Sequence, residues 1–294
     1  MNYRHAYHAG NFADVVKHTL LLAVLRGLQA KEKGLLCLDT HAGRGAYDLE
    51  QAARGARLNR IAEWPHGIGR VATAATRPEP VQAFWEAVGA FRQERSIADG
   101  PARVAQLYPG SPWLLRAALR PQDRLQLAEF HPEEAAALRT AFFGQRRVRV
   151  EETNGYLLIR AALPPLERRA LVMIDPPFEA LDEFAQVARA LAEGLRRLPG
   201  GTFVVWYPLT ERAGHEAFLA DYARDHRTPA WTVELEVAGP QRELSLRGCG
   251  VLVVNPPWRL DTQLHETVAW FAEHLGQGAG ARAALRWQVA ERDA

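Results

Sequence analysis

Apolar and polar residues recur along the chain with two periods, one typical of helices and one typical of strands. Near the N-terminus, apolar residues from Val15 to Leu28 follow helical spacing, which predicts a helix. Asn11 is a suitable N-cap for it, and Asp14, three residues later, completes a pair that resembles a capping box. We expect this helix to end near residues 31–34, where the sequence becomes polar.

Seven short apolar runs follow, most of them separated by stretches with helical spacing such as 181–198 and 215–225. Strands that alternate with helices predict an α/β fold with a mostly parallel, Rossmann-like sheet. The last two runs are joined by an irregular polar stretch and could form an antiparallel hairpin. The predicted strands are Leu35–Thr40, Arg124–Phe130, Arg147–Glu152, Leu171–Asp175, Thr202–Tyr207, Trp231–Val237 and Gly250–Asn255.

The interval between Thr40 and Arg124 is far longer than the roughly 30 residues that a strand–helix–strand unit needs. It contains helix-like pieces near 51–63 and 79–97, with proline and glycine between them. We therefore predict a small helical subdomain inserted at residues 48–106 of a domain formed by 1–47 and 107–294. The interrupted unit resumes at Ser111, a suitable N-cap before Pro112.

The composition is that of an ordinary globular protein, with 48% hydrophobic and 24% charged residues. No apolar run reaches the roughly 18 residues of a membrane span, and the N-terminus lacks a signal-peptide core. Cys37 and Cys249 lie in apolar strands, which predicts buried thiols in a cytoplasmic protein. The net charge of +2 does not by itself indicate nucleic acid. Only three of the 36 basic residues are lysines, which suits RNA binding but equally fits a genomic bias.

Three of the predicted strands end in residues that suit a nucleotide cofactor. Gly43 and Gly45 follow the first strand, where glycines let the backbone approach a bound ligand closely. Glu129 ends the second strand. If the insert is left out and the count begins at Ser111, its position in the sequence fits that of an acid that binds the ribose hydroxyls. Asn154-Gly155 ends the third, where a methyltransferase binds the adenine amine of its cofactor through a side-chain oxygen. Each feature alone also fits an ordinary turn or a solvated acid.

The most informative motif is Asp-Pro-Pro-Phe at 175–178, after the fourth strand. A motif of this form marks enzymes that methylate an exocyclic amine, a poor nucleophile because its lone pair is delocalised into the ring. Asp175 and the carbonyl of Pro176 can accept both amine hydrogens, and the prolines preorganise these acceptors. Phe178 offers a flat face for a flipped base. We therefore predict S-adenosylmethionine-dependent methylation of an adenine N6 amine, with Asp175, Pro176 and Phe178 as catalytic residues.

Two further features are weighed against this prediction. The motif Asn-Pro-Pro-Trp at 255–258 has the same form, but it ends the seventh strand, on the far side of the sheet, so we expect a structural role. Histidines in the N-terminal segment, with His41, could suggest a metal cluster, but no ligand spacing is completed and we expect no metal. Aromatic and cationic residues of the arm, Tyr3 and Arg4 among them, suit contact with RNA better.

The chain resembles the RlmJ family of bacterial large-subunit ribosomal RNA adenine methyltransferases over nearly its whole length, insert included. The resemblance rests on the blocks 3–18, 38–45, 108–112, 174–178 and 254–258, of which the first is highly specific. It implies that the target is an adenine of 23S ribosomal RNA and that Tyr3 helps to engage it. It also implies a cofactor site lined by Lys17, His18, His41, Ser111, Glu129, Asn154, Gly155 and Asp175. Two residues depart from the family pattern: Asn154 replaces an Asp and loses its charge, and Phe178 replaces a Tyr and loses its hydroxyl.

The sequence as a whole predicts a class I S-adenosylmethionine-dependent methyltransferase with a seven-stranded Rossmann-like sheet, an N-terminal helical arm and a helical insert. We expect a monomer that acts on ribosomal RNA. A DNA adenine-N6 methyltransferase is an alternative, although the fused target-recognition domain usual in such enzymes is missing. A non-catalytic RNA-binding protein that retains the fold is another. We expect the insert either to hold RNA phosphates or only to pack on the protein, and its arginines are Arg54, Arg57, Arg60, Arg70, Arg77, Arg92, Arg95 and Arg103.

Overall fold

The most apolar runs of the sequence form the centre of one large sheet. The computed structural model describes residues 8–50, 62–99, 107–210, 214–239 and 246–291. Every residue is buried in the strands at 36–39, 170–174 and 248–254, as expected of strands covered on both faces. The strands of the described chain are β1 Leu36–Asp39, β2 Ala46–Asp48, β3 Leu107–Pro109, β4 Arg124–Glu129, β5 Val148–Glu152, β6 Ala170–Ile174, β7 Thr202–Leu209, β8 Ala230–Glu236, β9 Gly248–Val254 and β10 Arg282–Val289.

The main sheet has eight strands in the order β10-β8-β9-β7-β6-β1-β4-β5. Strands β5, β4, β1, β6 and β7 are parallel, whereas β9, β8 and β10 pair antiparallel to their neighbours. All seven predicted strands lie in this sheet, and the predicted hairpin between the last two is confirmed as β8–β9. The count of seven was wrong because β10 adds an edge strand. Its arginine-rich, only half-buried sequence gives a weak strand signal.

The helices begin and end close to the sequence signals. Asn11 caps the first helix and its side chain accepts from the Asp14 N–H, as predicted, although that helix ends earlier, at Gln29. Gly110, rather than Ser111, is the N-cap before Pro112, a shift of one position. The described helices are α1 Phe12–Gln29, α2 Ile68–Thr73, α3 Glu79–Asp99, α4 Ser111–Ala118, α5 Pro132–Ala141, α6 Gly155–Ala162, α7 Glu183–Arg197, α8 Gly214–Asp225, α9 Leu260–Gln263 and α10 His265–Leu275.

The two faces of the sheet build separate hydrophobic cores. In β6, Leu171 and Met173 face the core that contains residues of α1, α3, α4 and α10. Val172 and Ile174 point the other way, to the core that α6, α7 and α8 cover. Burial of each such aliphatic side chain stabilises the fold by roughly 1.5–3 kcal/mol. The sheet is therefore fixed from both sides, and the residues that follow its strands are held in place.

Helices α2 and α3 lie between β2 and β3, which pair with each other antiparallel beside the main sheet. The predicted helix at 79–97 corresponds to α3, whereas most of the predicted 51–63 helix lies outside the described residues. Helix α3 packs against α1, α4 and β3, so this segment is joined to the N-terminal helix. No described helix is long and apolar enough to cross a membrane.

Candidate active site

The carboxyl ends of the parallel strands bring the predicted site residues to one edge of the sheet. Strands β1, β4, β5 and β6 run in the same direction, so the residues that follow them converge, as in other open α/β sheets. The Gly43 N–H donates to Glu129 Oε2 at 2.8 Å, although 86 positions separate the two residues. The His131 N–H donates to the other carboxylate oxygen at 2.7 Å. Glu129, predicted from its spacing to Ser111, thus contacts the glycine loop directly, and this contact fixes the carboxylate.

The glycine loop after β1 has the backbone that its sequence indicates. Gly43 and Gly45 have φ angles of +60° and +89°, a conformation that favours glycine. The Gly110 N–H donates to Gly45 O at 2.7 Å, and this contact brings buried Ser111 up to the loop. This hydrogen bond holds the segment that follows the insert against the glycine loop.

Asp39, the last residue of β1, is a fully buried carboxylate with incomplete hydrogen bonding. Its Oδ1 accepts from the His41 N–H at 3.3 Å, whereas its Oδ2 has no partner among the described residues. Burial raises the pKa of Asp39 to about 6, although the Ser111 hydroxyl and the His41 N–H act in the opposite direction. A buried acceptor without a partner is costly, so this position suits a cationic group of a bound ligand.

His41 lies half-buried between the glycine loop and α6. Its Nδ1 is 2.8 Å from Thr40 Oγ1, and its ring meets Tyr156 edge-on with centroids 5.1 Å apart. Burial lowers the pKa of His41 to about 4. The imidazole is consequently neutral near pH 7 and does not repel a cationic cofactor.

Asn154 has a structural task that the sequence analysis did not predict. Its Oδ1 accepts from the backbone N–H groups of Tyr156 at 2.9 Å and Leu157 at 3.4 Å, which makes Asn154 the N-cap of α6. A Cβ on Gly155 would lie 1.9 Å from Thr40 O, so glycine is required where α6 approaches β1. The oxygen predicted to receive the adenine amine is already an acceptor for the helix.

Asp175, directly after β6, is held by a buried lysine. Lys17 Nζ lies 2.6 Å from Asp175 Oδ2 and 2.7 Å from Asp14 Oδ1. Burial opposes the charge of Lys17, but the attraction and hydrogen bonds of Asp14 and Asp175 outweigh it and raise the pKa of the ammonium. Lys17 is therefore cationic and fixes one oxygen of Asp175. The other oxygen, Oδ1, forms no hydrogen bond among the described residues, so it is available to a substrate.

The remainder of the 175–178 motif is also well packed. Pro176 is buried, and Phe178 has φ of +51°, an uncommon conformation for an aromatic residue and one found at functional sites. The Phe178 ring lies 4.7 Å from that of Phe184 and 5.8 Å from that of Trp206, centroid to centroid. These contacts hold the ring that the sequence analysis assigned to stacking on the base.

His18 is placed differently from the other residues predicted to line the cofactor site. It is buried, its Nδ1 lies 2.8 Å from Tyr108 Oη, and its ring packs near Phe84 of α3. These contacts give His18 a role in joining α1 to the insert. Its place in the cofactor site remains a prediction.

The second diproline motif follows β9, which is antiparallel to β7, so it lies at the amino ends of the parallel strands. Asn255 Nδ2 donates to Pro199 O and Gly201 O, both at 2.8 Å, just before β7 begins. Asn255 thus ties two backbone segments together, in agreement with the structural role expected from the sequence. A groove of about 1330 Å³ runs beside the exposed Trp258 and α1 but contains none of the predicted site residues.

The predicted RNA contacts can be traced only in part. Tyr3, Arg4 and the arginines at 54, 57, 60 and 103 lie outside the described residues. Within the insert, Arg77 donates to Val71 O at 2.6 Å, and Arg92 donates to Leu107 O at 3.0 Å. These contacts favour packing within the protein, rather than phosphate binding, for both arginines. Arg70 is exposed, and its side chain forms no hydrogen bond or ion pair among the described residues.

Residues 32–289 match the family described as ribosomal RNA large subunit methyltransferase D, RlmJ. The chain belongs to the RlmJ family. Ribosomal RNA large subunit methyltransferase J of Escherichia coli (strain K12) is 34% identical over 291 residues, which cover 99% of this chain and 100% of that protein. The same-named protein of Haemophilus influenzae is 34% identical over 275 residues, 94% of each chain. A crystal structure from Legionella pneumophila, 29% identical, superimposes with a TM-score of 0.82 over 97% of this chain and 99% of that one.

Membership in the RlmJ family establishes a class I, S-adenosylmethionine-dependent methyltransferase. The chemistry of the site fits this cofactor, since Asp39 has an unpartnered buried oxygen and Glu129 is fixed beside the glycine loop. The contacts of the site also give roles to residues of the N-terminal block 3–18, on which the resemblance to the family rests. Asn11 caps α1, Asp14 holds Lys17, and Lys17 holds the carboxylate that follows β6.

Several residues of this RlmJ-family site were missed by the sequence analysis. Asp14 was interpreted only as part of a helix cap, and Glu63 was not singled out, although both make charged contacts near the arm. Tyr156 donates to Glu183 Oε1 at 2.6 Å, which ties α6 to the start of α7. Such long-range pairs leave no periodic signal in a single sequence. The only signal in the sequence is an acidic residue, such as Asp14, at a position of a helix that the apolar pattern predicts to be buried.

Proposed function

We propose that this chain, acting as a monomer, transfers a methyl group to the N6 amine of an adenine in 23S ribosomal RNA. The observation that carries the proposal is Asp175, held through Oδ2 by Lys17 at the end of β6 with Oδ1 left to receive an amine hydrogen. The names of the Escherichia coli and Haemophilus influenzae relatives supply the class of RNA.

We propose that the cofactor lies beside the carboxyl ends of β1, β4 and β5. S-adenosylmethionine supplies an electrophilic methyl group on a sulfonium. Glu129 would accept from the ribose hydroxyls, because its carboxylate is already oriented by Gly43 and His131. Asp39 would face cationic charge through its unpartnered Oδ2. Lys17, His18, His41, Gly45, Ser111, Asn154 and Gly155 complete the proposed site.

The proposed catalytic step uses acceptors that are already in position. Asp175 Oδ1 and the carbonyl of Pro176 accept the two amine hydrogens, which turns the nitrogen lone pair out of the plane of the base. The nitrogen takes the methyl group as the bond from the methyl carbon to the sulfonium sulfur breaks, and the neutral thioether leaves as S-adenosylhomocysteine. The nitrogen is then cationic, and the carboxylate of Asp175 stabilises that charge until the proton passes to solvent. Lys17 keeps the carboxylate from turning. Phe178 supports the flipped base by stacking.

A methyl-transfer assay with labelled S-adenosylmethionine tests this function. Large-subunit ribosomal RNA, DNA and protein are offered as acceptors, and labelled RNA is digested to nucleosides. Label recovered as N6-methyladenosine supports the proposal. Label in DNA alone would establish a DNA methyltransferase. Binding of RNA without transfer to any acceptor would indicate a non-catalytic RNA-binding protein.

We further propose that residues 48–106 form the inserted subdomain and that Tyr3 and Arg4 contact the RNA. The antiparallel pairing of β2 with β3 supports the insert boundaries, because the chain leaves and returns at adjacent strands. The first described residues of the arm lie near Asp14 and Lys17, which supports placing the arm beside the target base.

A further inference from the structure

The insert is bonded, through Glu63, to residues 8–11, which form the base of the N-terminal arm. Glu63 Oε2 accepts from Asn11 Nδ2 at 2.9 Å and lies 2.9 Å from His8 Nδ1. One carboxylate oxygen thus contacts two side chains of the arm base, 52 and 55 positions away in the sequence.

The backbones of the two segments are also in contact at this point. The Ile68 N–H donates to Gly10 O at 2.8 Å. A Cβ on Gly67 would lie 2.2 Å from Gly10 O, so only glycine permits this approach. The contact between the insert and the arm is therefore built from a charged cluster and a close backbone packing that do not depend on each other.

Asp14 connects the base of the arm to the catalytic carboxylate. Its Oδ2 accepts from the Gly10 N–H at 2.9 Å, and its Oδ1 lies 2.7 Å from Lys17 Nζ. Lys17 in turn contacts Asp175 at 2.6 Å. A continuous chain of polar contacts therefore leads from the arm base, through Asp14 and Lys17, to Asp175.

The charges of this chain matter as well as its geometry. Lys17 alone would neutralise Asp175, whereas two carboxylates around one ammonium leave a net negative charge at the site. Methyl transfer develops positive charge on the amine nitrogen, which a net negative charge stabilises. Asp14 is thus suited both to hold Lys17 in place and to offset its charge.

We propose that Glu63 and Asp14 are positioning residues for methyl transfer: Glu63 fixes the arm base to the insert, and Asp14 holds Lys17 where it orients Asp175. The inference rests on the proposed function, since Asp175 is its catalytic group. The insert then acts on the chemistry of the sheet edge in addition to any contact that it makes with RNA.

The test compares Glu63→Gln, Gly67→Ala and Asp14→Asn with Glu79→Gln. Glu79 is a matched control because it pairs with Arg26 and also joins the insert to α1, but at the far end of that helix. Single-turnover transfer at saturating RNA is measured with the affinity for S-adenosylhomocysteine and the melting temperature. Asp14→Asn should slow transfer by about tenfold or more, and Glu63→Gln and Gly67→Ala by about three- to tenfold, because small displacements of reacting groups are costly. Cofactor affinity should stay within about twofold, and Glu79→Gln should transfer at the wild-type rate.

A pH profile separates positioning from a loss of folded protein. Lys17 faces Asp14 and Asp175 directly, with Asp39 and Cys249 in electrostatic range. Without the charge of Asp14, burial weighs more heavily and lowers the pKa of Lys17. The rate of Asp14→Asn should then vary with pH in the alkaline range, where the wild-type rate stays flat. A variant that is merely destabilised would keep the wild-type profile.

The outcomes distinguish this inference from the proposed function. If wild type is active and Asp175→Ala is inactive, but Glu63→Gln, Gly67→Ala and folded Asp14→Asn match Glu79→Gln, the inference is wrong and the function stands. If Asp14→Asn fails to fold, wild-type rates for Glu63→Gln and Gly67→Ala overturn it. Loss of the function itself would appear as an active Asp175→Ala.

Discussion

Asp175 and Asn255 begin motifs of the same form, and their surroundings give them different tasks. Asp175 meets the buried ammonium of Lys17 and keeps one oxygen without a partner, whereas Asn255 donates to two backbone carbonyls. Both donor hydrogens of the Asn255 amide are thus used within the fold. The position of each motif in the sheet, rather than its letters, therefore decides which one carries chemistry.

Asp175→Ala should abolish methyl transfer and leave the fold intact, because the amine loses an acceptor that was positioned in advance. Removal of one such partner costs roughly 3–4 kcal/mol, or about 10²- to 10³-fold in rate. Single-turnover assays and a melting curve check this. Asn255→Ala is the control and should lower the melting temperature, with the rate of the folded fraction unchanged. A folded but inactive Asn255→Ala would show that the wrong motif was chosen.

Asp39 should make cofactor affinity depend on pH. Its pKa is raised to about 6, so the free protein protonates this group as the pH falls below about 6. A cationic ligand prefers the carboxylate, so affinity for S-adenosylmethionine should weaken by up to about tenfold per pH unit below that value. Because the pKa is raised, the ionised group costs stability of the free protein as pH rises from about 4 to 6. Calorimetry at pH 5 and 7.5 measures the effect, and Asp39→Asn should show a flat profile over this range.

At the scale of elements, buried strands and the long helices were predictable, because their apolar periods report burial directly. Edge strand β10 was not, since its half-exposed residues carry no such period. The capping of α1 by Asn11 could be predicted from local sequence, whereas the capping of α6 by Asn154 was hidden by the cofactor role assigned to it. The same reasoning holds for the site. Strand-end residues were found, and the support that Asp14 and Glu63 supply through long-range contacts was not.

Substitutions of Asn154 separate its role in the helix from its role in the site. Asn154→Ala should destabilise α6 and the protein by about 0.5–2 kcal/mol, because two backbone N–H groups lose their acceptor. Asn154→Asp should keep the cap, since Asp and Asn are comparable N-caps. Denaturant unfolding and calorimetry with S-adenosylhomocysteine are the measurements. An Asn154→Ala variant that loses affinity without losing stability would contradict the capping role.

At the scale of the whole molecule, the base of the N-terminal arm and the insert are bonded to each other beside the contacts that lead to Asp175. Contacts at Gly10, Asn11 and His8 join these two parts before the chain reaches α1. The base of the arm is therefore anchored close to Asp175, the carboxylate proposed to act on the amine.

Removal of residues 1–7 should leave this anchor in place, because His8 and Asn11 retain their contacts with Glu63. We expect methyl transfer to RNA to be strongly impaired while the affinity for S-adenosylhomocysteine is unchanged. Methyl transfer by Tyr3→Ala measures the contribution of the aromatic ring, and transfer by Arg4→Ala measures that of the positive charge. Wild-type transfer by the shortened chain would show that the arm has no part in binding RNA.

Binding of RNA by the insert should appear in the dependence of affinity on salt. Each phosphate contact that is formed releases counterions, so the slope of affinity against salt reports the number of contacts. Arg77 and Arg92 are engaged within the protein, and half-buried Arg95 lies over the Trp113 ring. Exposed Arg70 is therefore the described insert arginine best suited to reach a phosphate. Arg70→Glu should therefore weaken RNA binding and reduce the salt slope by about one unit, with transfer at saturating RNA unchanged.

Arg146→Glu makes the same change of charge at an exposed residue just before β5, at the edge of the sheet away from Asp175. It should leave the salt slope at its wild-type value, because no RNA is expected to contact that edge. Equal slopes for wild type, Arg70→Glu and Arg146→Glu would mean that Arg70 forms no phosphate contact. The described insert arginines would then serve to pack the insert, as the contacts of Arg77 and Arg92 indicate. The N-terminal arm would remain as the part of the enzyme proposed to bind RNA.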